Sequence, residues 1–150
     1  MATDNKKVVF LVEDNTDDVD LTLYALRKNE ILHDMVVVRD GVEALDYLFG
    51  EKEEEDGAGD IPGLILLDLN LPRVNGMQVL ERLRSEERTR LVPVVVMTSS
   101  REERDVNRTY DLGANSYIRK PVDFDEFIKS IKAVLHYWLV LNVLPESQEG

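Results

Sequence analysis

Apolar residues fall along the chain in two alternating regimes. Five short runs are β-branched or leucine-rich: VVFLV at 8–12, MVVVR at 35–39, LILLD at 64–68, VVVMT at 94–98 and SYIR at 116–119. Most are continuous rather than alternating, the pattern of strands covered on both faces in a parallel sheet. Between them the spacing becomes helical. Val19, Leu23 and Leu26 mark one stripe, Val42, Leu45 and Phe49 a second, and Val79, Leu80 and Leu83 a third. Arg101 to Leu112 is polar, with Val106, Tyr110 and Leu112 as anchors, which predicts a weakly held helix. The fifth stripe is the longest: Phe124, Phe127, Ile128, Ile131, Val134, Leu135 and Trp138. Asp123 and Glu126 give it a D-x-x-E start, the aspartate as cap and the glutamate near the positive helix end.

Strand and helix thus alternate five times. With right-handed crossovers this predicts an α/β, doubly wound (βα)5 flavodoxin-like sandwich on a parallel sheet, in which ligands sit beyond the carboxyl ends of the strands. A chain of 150 residues, 43% hydrophobic, fits a single domain. No window approaches the ~20 unbroken apolar residues of a membrane span. The start MATDNKKVV is too polar for a secretory signal, so a cytoplasmic protein is expected. The absence of cysteine excludes disulfides, thiolate zinc sites and thiol catalysis. A net charge of −12 argues against direct nucleic-acid binding, which draws its affinity from Lys and Arg. Part of that charge lies in EKEEEDGAGD, residues 51–60, read as a solvated loop. His33 and His136 are far apart and read as structural or surface residues.

The candidate chemistry lies at the strand ends. Asp68 ends the third run, and Glu13 and Asp14 follow the first. In the common strand order 2-1-3-4-5 these strands are neighbours, so three carboxyl groups crowd one crevice. Such a set needs a cation, and all-oxygen ligands suit a hard divalent ion such as Mg²⁺. Thr98 and Lys120 fall at the mouths of the fourth and fifth strands. A hydroxyl and an ammonium facing a metal-bound carboxylate make sense if an anion arrives. The economical candidate is a phosphoryl group on Asp68, held by Mg²⁺, Lys120 and Thr98.

These residues resemble a known family. VEDN with Glu13 and Asp14, LLDLNLP with Asp68, MTS with Thr98, and YIRKP with Tyr117, Lys120 and Pro121 are similar to the receiver domain of two-component response regulators. The resemblance covers about residues 6–138, leaving 139–150 as a partly apolar extension. It implies that Asp68 accepts phosphate from a sensor histidine kinase. It also implies that Asp14, Asp68 and the Asn70 backbone carbonyl ligate Mg²⁺, with Glu13 acting through a bound water. Thr98 and Tyr117 resemble the family's switch pair, which would reshape the face of helix four, strand five and helix five. The Lys120–Pro121 bond is expected to be cis. With VRDGVEAL and the ending YWLVLNVLPE, the chain resembles the small single-domain regulators of cyanobacterial phytochromes and related kinases. About a dozen residues after helix five leave no room for a DNA-binding domain, so output is expected through contact.

Other readings stay open at this point. Glu13 and Asp14 taken alone would serve as a helix N-terminal cap, Tyr117 as a core aromatic, and Asn75-Gly76 as a turn. The Asn70 side chain and Ser100 are candidate modulators of phosphate lifetime. An aspartate-nucleophile phosphatase would want a D-x-D pair near the amino end, and a flavin module would want hydroxyls where VEDNTDDVD presents five acids. A receiver-like platform independent of phosphorylation is the third alternative. The apolar tail WLVLNVLP, 138–145, predicts partial folding back, and also homodimerisation or kinase docking through helix five and the tail.

Overall fold

The computed structural model describes residues 8–28, 34–50 and 61–145; the acidic stretch 51–60 and His33 lie outside the described residues. Five strands, β1 (Val8–Val12), β2 (Asp34–Val38), β3 (Leu64–Leu67), β4 (Val94–Thr98) and β5 (Ser116–Arg119), alternate with five helices. These are α1 (Thr16–Lys28), α2 (Gly41–Phe49), α3 (Gly76–Ser85), α4 (Glu103–Asp111) and α5 (Phe124–His136). A π-helical turn, Tyr137–Leu141, continues α5. The sheet is parallel throughout, in the order β2-β1-β3-β4-β5. This is the flavodoxin-like sandwich that the alternation of runs predicts.

The apolar runs bury as a covered sheet requires. All of β3 and β4 is buried, while the two edge strands β2 and β5 are mostly half-buried. Side chains alternate between two cores. Phe10, Val12, Ile65, Leu67, Val94 and Val96 face α2 and α3, with Leu48, Val79, Leu80 and Leu83 opposite them. Val9, Leu11, Leu64, Leu66, Val95 and Met97 face α1 and α5, against Val19, Leu26, Phe127, Ile131 and Leu135. Full burial of each Val, Leu, Ile or Phe side chain stabilises the fold by ~1.5–3 kcal/mol before chain entropy is counted.

Several helical stripes differ from their sequence reading. In α2 the buried side chains are Ala44 and Leu48, while Val42, Leu45 and Phe49 are only half-buried. In α4 the buried residue is Thr109, whose hydroxyl donates to the Asp105 carbonyl at 2.6 Å, whereas Tyr110 is exposed. Phe124 is 64% exposed and leaves the α5 core stripe to begin at Phe127. Asp123 caps α5 as expected, accepting from the Glu126 N–H at 3.0 Å. The described residues contain no cis peptide, so Lys120–Pro121 is trans, the intrinsically favoured form of an X–Pro bond. Trp138 packs on the α1/α5 core and Leu139 is buried in it, so the tail folds back in part. No helix among the described residues is long and apolar enough to cross a membrane.

Candidate phosphoacceptor site

Strand register brings the polar residues to one edge of the sheet. β1 and β3 pair directly, with Val12 opposite Leu67, so the residues that follow them, Glu13 and Asp68, leave the sheet side by side. Thr98 ends β4, and the Lys120 N–H donates to the Thr98 carbonyl at 2.8 Å, placing Lys120 just past β5. The sheet itself therefore sets the spacing of this crevice.

Asp68 is held from below by the chain that leaves it. The Asn70 N–H donates to Asp68 Oδ1 at 3.1 Å, and the Gly76 N–H donates to the Leu69 carbonyl at 3.0 Å. A Cβ on Gly76 would collide with the Asp68 carbonyl oxygen and lie 2.7 Å from Leu69 Cα. Glycine is thus required where α3 begins, because helix and acid-bearing backbone touch. Asn75 caps the same helix through a reciprocal capping box with Gln78, each side chain accepting the other's backbone N–H at 3.0 Å.

One ammonium gathers the acids. Lys120 Nζ donates to Glu13 Oε1 at 2.8 Å, to Asp18 Oδ2 at 2.7 Å and to Asp68 Oδ2 at 3.1 Å. Its side chain is 9% exposed. Burial pulls its pKa down, but the hydrogen bonds to Asp18 and Glu13 and the charge of Asp68 outweigh that and leave it above the ordinary lysine value. Glu13 moves the other way from a usual carboxylate. Burial first, and then the Asp68 charge, push it up to about 7 against the pull of Lys120.

Asp14 is exposed, yet one oxygen from each of Glu13, Asp14 and Asp68 lies within 4.8 Å of the others. Four carboxyl groups against one ammonium leave the cluster short of positive charge. An all-oxygen, anionic set of this kind fits a hard divalent cation.

The remaining candidates surround this cluster. Thr98 is fully buried, and its Oγ1 accepts weakly from the Ser100 N–H at 3.4 Å. The Ser100 hydroxyl is turned toward α4, donating to Asp105 Oδ2 at 2.6 Å and accepting from the Glu102 N–H. Tyr117 packs against the α2/α3 core, and its buried hydroxyl has no hydrogen-bond partner among the described residues. The Asn70 side chain is exposed, and His136 is an exposed residue at the end of α5. Asp18 was not singled out by the sequence. An acid in the first turn of a helix is what the helix dipole favours anyway, and nothing local shows that it reaches a lysine 102 residues away.

Comparison with known proteins points to one family. Residues 9–132 match the model of the response regulator receiver domain. Response regulator Rcp1 of Synechocystis is 36% identical over 139 residues, 93% of each chain. The probable methanogenesis regulatory protein FilR2 of Methanothrix harundinacea is 37% identical, over 92% of this chain and 87% of its own. Among solved structures, the phosphorylated cyanobacterial phytochrome response regulator RcpA superposes with a TM-score of 0.86 at 40% identity, covering 94% of this chain and 99% of its own. The Mn²⁺-bound form of Rcp1 gives 0.85 at 35%, covering 93% and 99%. The fold, the crevice at the strand ends and these matches together place the chain in the response regulator receiver domain family.

Proposed function

We propose that this receiver accepts a phosphoryl group on Asp68 from a sensor histidine kinase and signals by a change of conformation. One observation carries the reading: Asp68, the Glu13/Asp14 pair and Lys120, from three different strand ends, converge on one crevice. In the transfer a carboxylate oxygen of Asp68 attacks the phosphorus of a phosphohistidine. The new O–P bond forms as the N–P bond breaks, and the imidazole leaves with the electron pair. Lys120 faces the charge that grows on the phosphoryl oxygens, and the buried Thr98 hydroxyl completes the set. Asp14, Asp68, Glu13 and the Asn70 carbonyl would hold Mg²⁺, which supplies charge neutralisation between the acceptor carboxylate and the incoming phosphate. Hydrolysis of the acyl phosphate returns the protein to rest, so the chain modifies itself and turns over no external metabolite.

Thr98 and Tyr117 form the switch in this reading. The buried Tyr117 hydroxyl, which has no hydrogen-bond partner among the described residues, supports it, since a buried unpaired polar group costs ~1–3 kcal/mol and favours any state in which it finds a partner. The readout surface is the face of α4, β5 and α5. The phosphorylated phytochrome regulator and the Mn²⁺-bound regulator among the structural relatives support the phosphoryl and cation roles, and a phytochrome-like kinase as partner. The net charge of −12 supports output through protein contacts rather than nucleic acid. The receiver unit spans 6–138 in this reading. The extension from 139 contributes to a homodimer contact, supported by exposed Val140, Leu141 and Val143 beside half-exposed Tyr137.

Incubation with acetyl phosphate tests the acceptor. Wild-type protein should take up phosphate in the presence of Mg²⁺ and lose the label to hydroxylamine, and Asp68→Asn should take up none. Equal labelling of the variant would move the acceptor elsewhere.

A further inference from the structure

Lys120 has three N–H donors, and each is taken by a different carboxylate. Two of those acids, Glu13 and Asp68, belong to the set whose oxygens converge within 4.8 Å. Asp18 does not. It projects from the first turn of α1, where the Asn15 side chain accepts its backbone N–H at 3.0 Å and its own carbonyl accepts from the Thr22 hydroxyl at 2.7 Å. Its carboxylate makes the shortest of the three contacts to the ammonium.

From this geometry we infer that Asp18 is a positioning residue that opposes the phosphoryl-bound state by holding Lys120. The inference rests on Asp68 as phosphoacceptor. When a phosphoryl group arrives, an oxygen must displace one of the three carboxylates from a fully engaged ammonium. A divalent cation neutralises Glu13 and Asp68, so their grip on Lys120 weakens as the site fills. Asp18 lies outside that set and keeps its full charge. It competes with the phosphoryl oxygens for the same N–H and repels them as a like charge, and both effects have the same sign. Its backbone contacts, to Asn15 and Thr22, are independent of the carboxylate and survive its replacement by an amide.

Binding of beryllofluoride in Mg²⁺, followed by ¹⁹F NMR on the full chain, reads this directly. Asp18→Asn should bind roughly tenfold more tightly than wild type, the loss of one charge-assisted competitor. Asp18→Glu, which retains the charge, should return toward wild-type affinity. The ¹⁵N resonance of Lys120 Nζ should shift in resting Asp18→Asn, a change that a merely structural role for Asp18 would not produce. Unchanged or weaker binding by Asp18→Asn, with wild type binding normally, overturns the inference. Failure of wild type itself to bind beryllofluoride overturns the phosphoacceptor reading and this inference with it.

Discussion

Glu13 occupies a place where an ionised carboxylate is poorly solvated, 4% exposed and beside Asp68, and its pKa is pushed up to about 7 from 4.5. Between those values the folded protein binds more protons than the unfolded chain. The stability this group contributes is therefore complete below about pH 4.5 and is lost as pH rises through about 7. A divalent cation on Glu13, Asp14 and Asp68 relieves that loss. Melting temperature in EDTA and in Mg²⁺, measured between about pH 5 and pH 8, should show a Mg²⁺-induced rise that grows with pH, and Glu13→Gln should flatten the trend. A Mg²⁺ effect independent of pH would contradict this account of Glu13. The sequence shows Glu13, Asp14, Asp68, Thr98 and Lys120 at their strand ends because a parallel sheet sends every carboxyl end to the same edge. It does not show Asp18 on Lys120 or Ser100 on Asp105, since those pairs depend on side-chain reach from helices whose rotation about the sheet is set by packing.

The start of α3 supports the backbone that carries Asp68. Gly76 packs its Cα face against the Asp68–Leu69 backbone, and the Asn75 capping box fixes where the helix begins. Asn75-Gly76 reads in sequence as a turn, and the contact that explains its glycine is tertiary and invisible locally. Gly76→Ala must push the helix away from Asp68, an overpacking that costs ~1–3 kcal/mol. Urea denaturation should show the loss of stability, and phosphate uptake from acetyl phosphate should slow. A variant with wild-type stability and uptake would show that this contact does not position the acid. At the opposite surface, Arg84 ties the α3 end to the loop before β5, donating to the Gly113 carbonyl at 2.9 Å and to Asn115 Oδ1 at 3.0 Å. Gly113, with a φ of 105°, takes a conformation that favours glycine there. Helical periodicity identified the faces of α1, α3 and α5 but not how far each face has a core beneath it. For that reason Phe124 reads as core and stands in solvent, while Thr109, a polar residue, anchors α4 with its hydroxyl satisfied internally.

Across the whole molecule, the doubly wound sheet separates two regions. One edge gathers the acids and Lys120, while the α1/α5 side continues through the π-helical turn into a tail that buries Leu139 and leaves Val140, Leu141 and Val143 exposed. Light scattering of the full chain should show dimers that a truncation after His136 loses; a full chain that stays monomeric with and without beryllofluoride contradicts the dimer contact. The proposed phosphoacceptor lies at the other edge. Protein phosphorylated from acetyl phosphate in Mg²⁺ can be reduced with borohydride, which converts an aspartyl phosphate to homoserine, and then sequenced by mass spectrometry. Homoserine is expected at position 68 and at no other acid; homoserine elsewhere, or none while wild-type protein remains folded and Mg²⁺-bound, would contradict Asp68 as the acceptor.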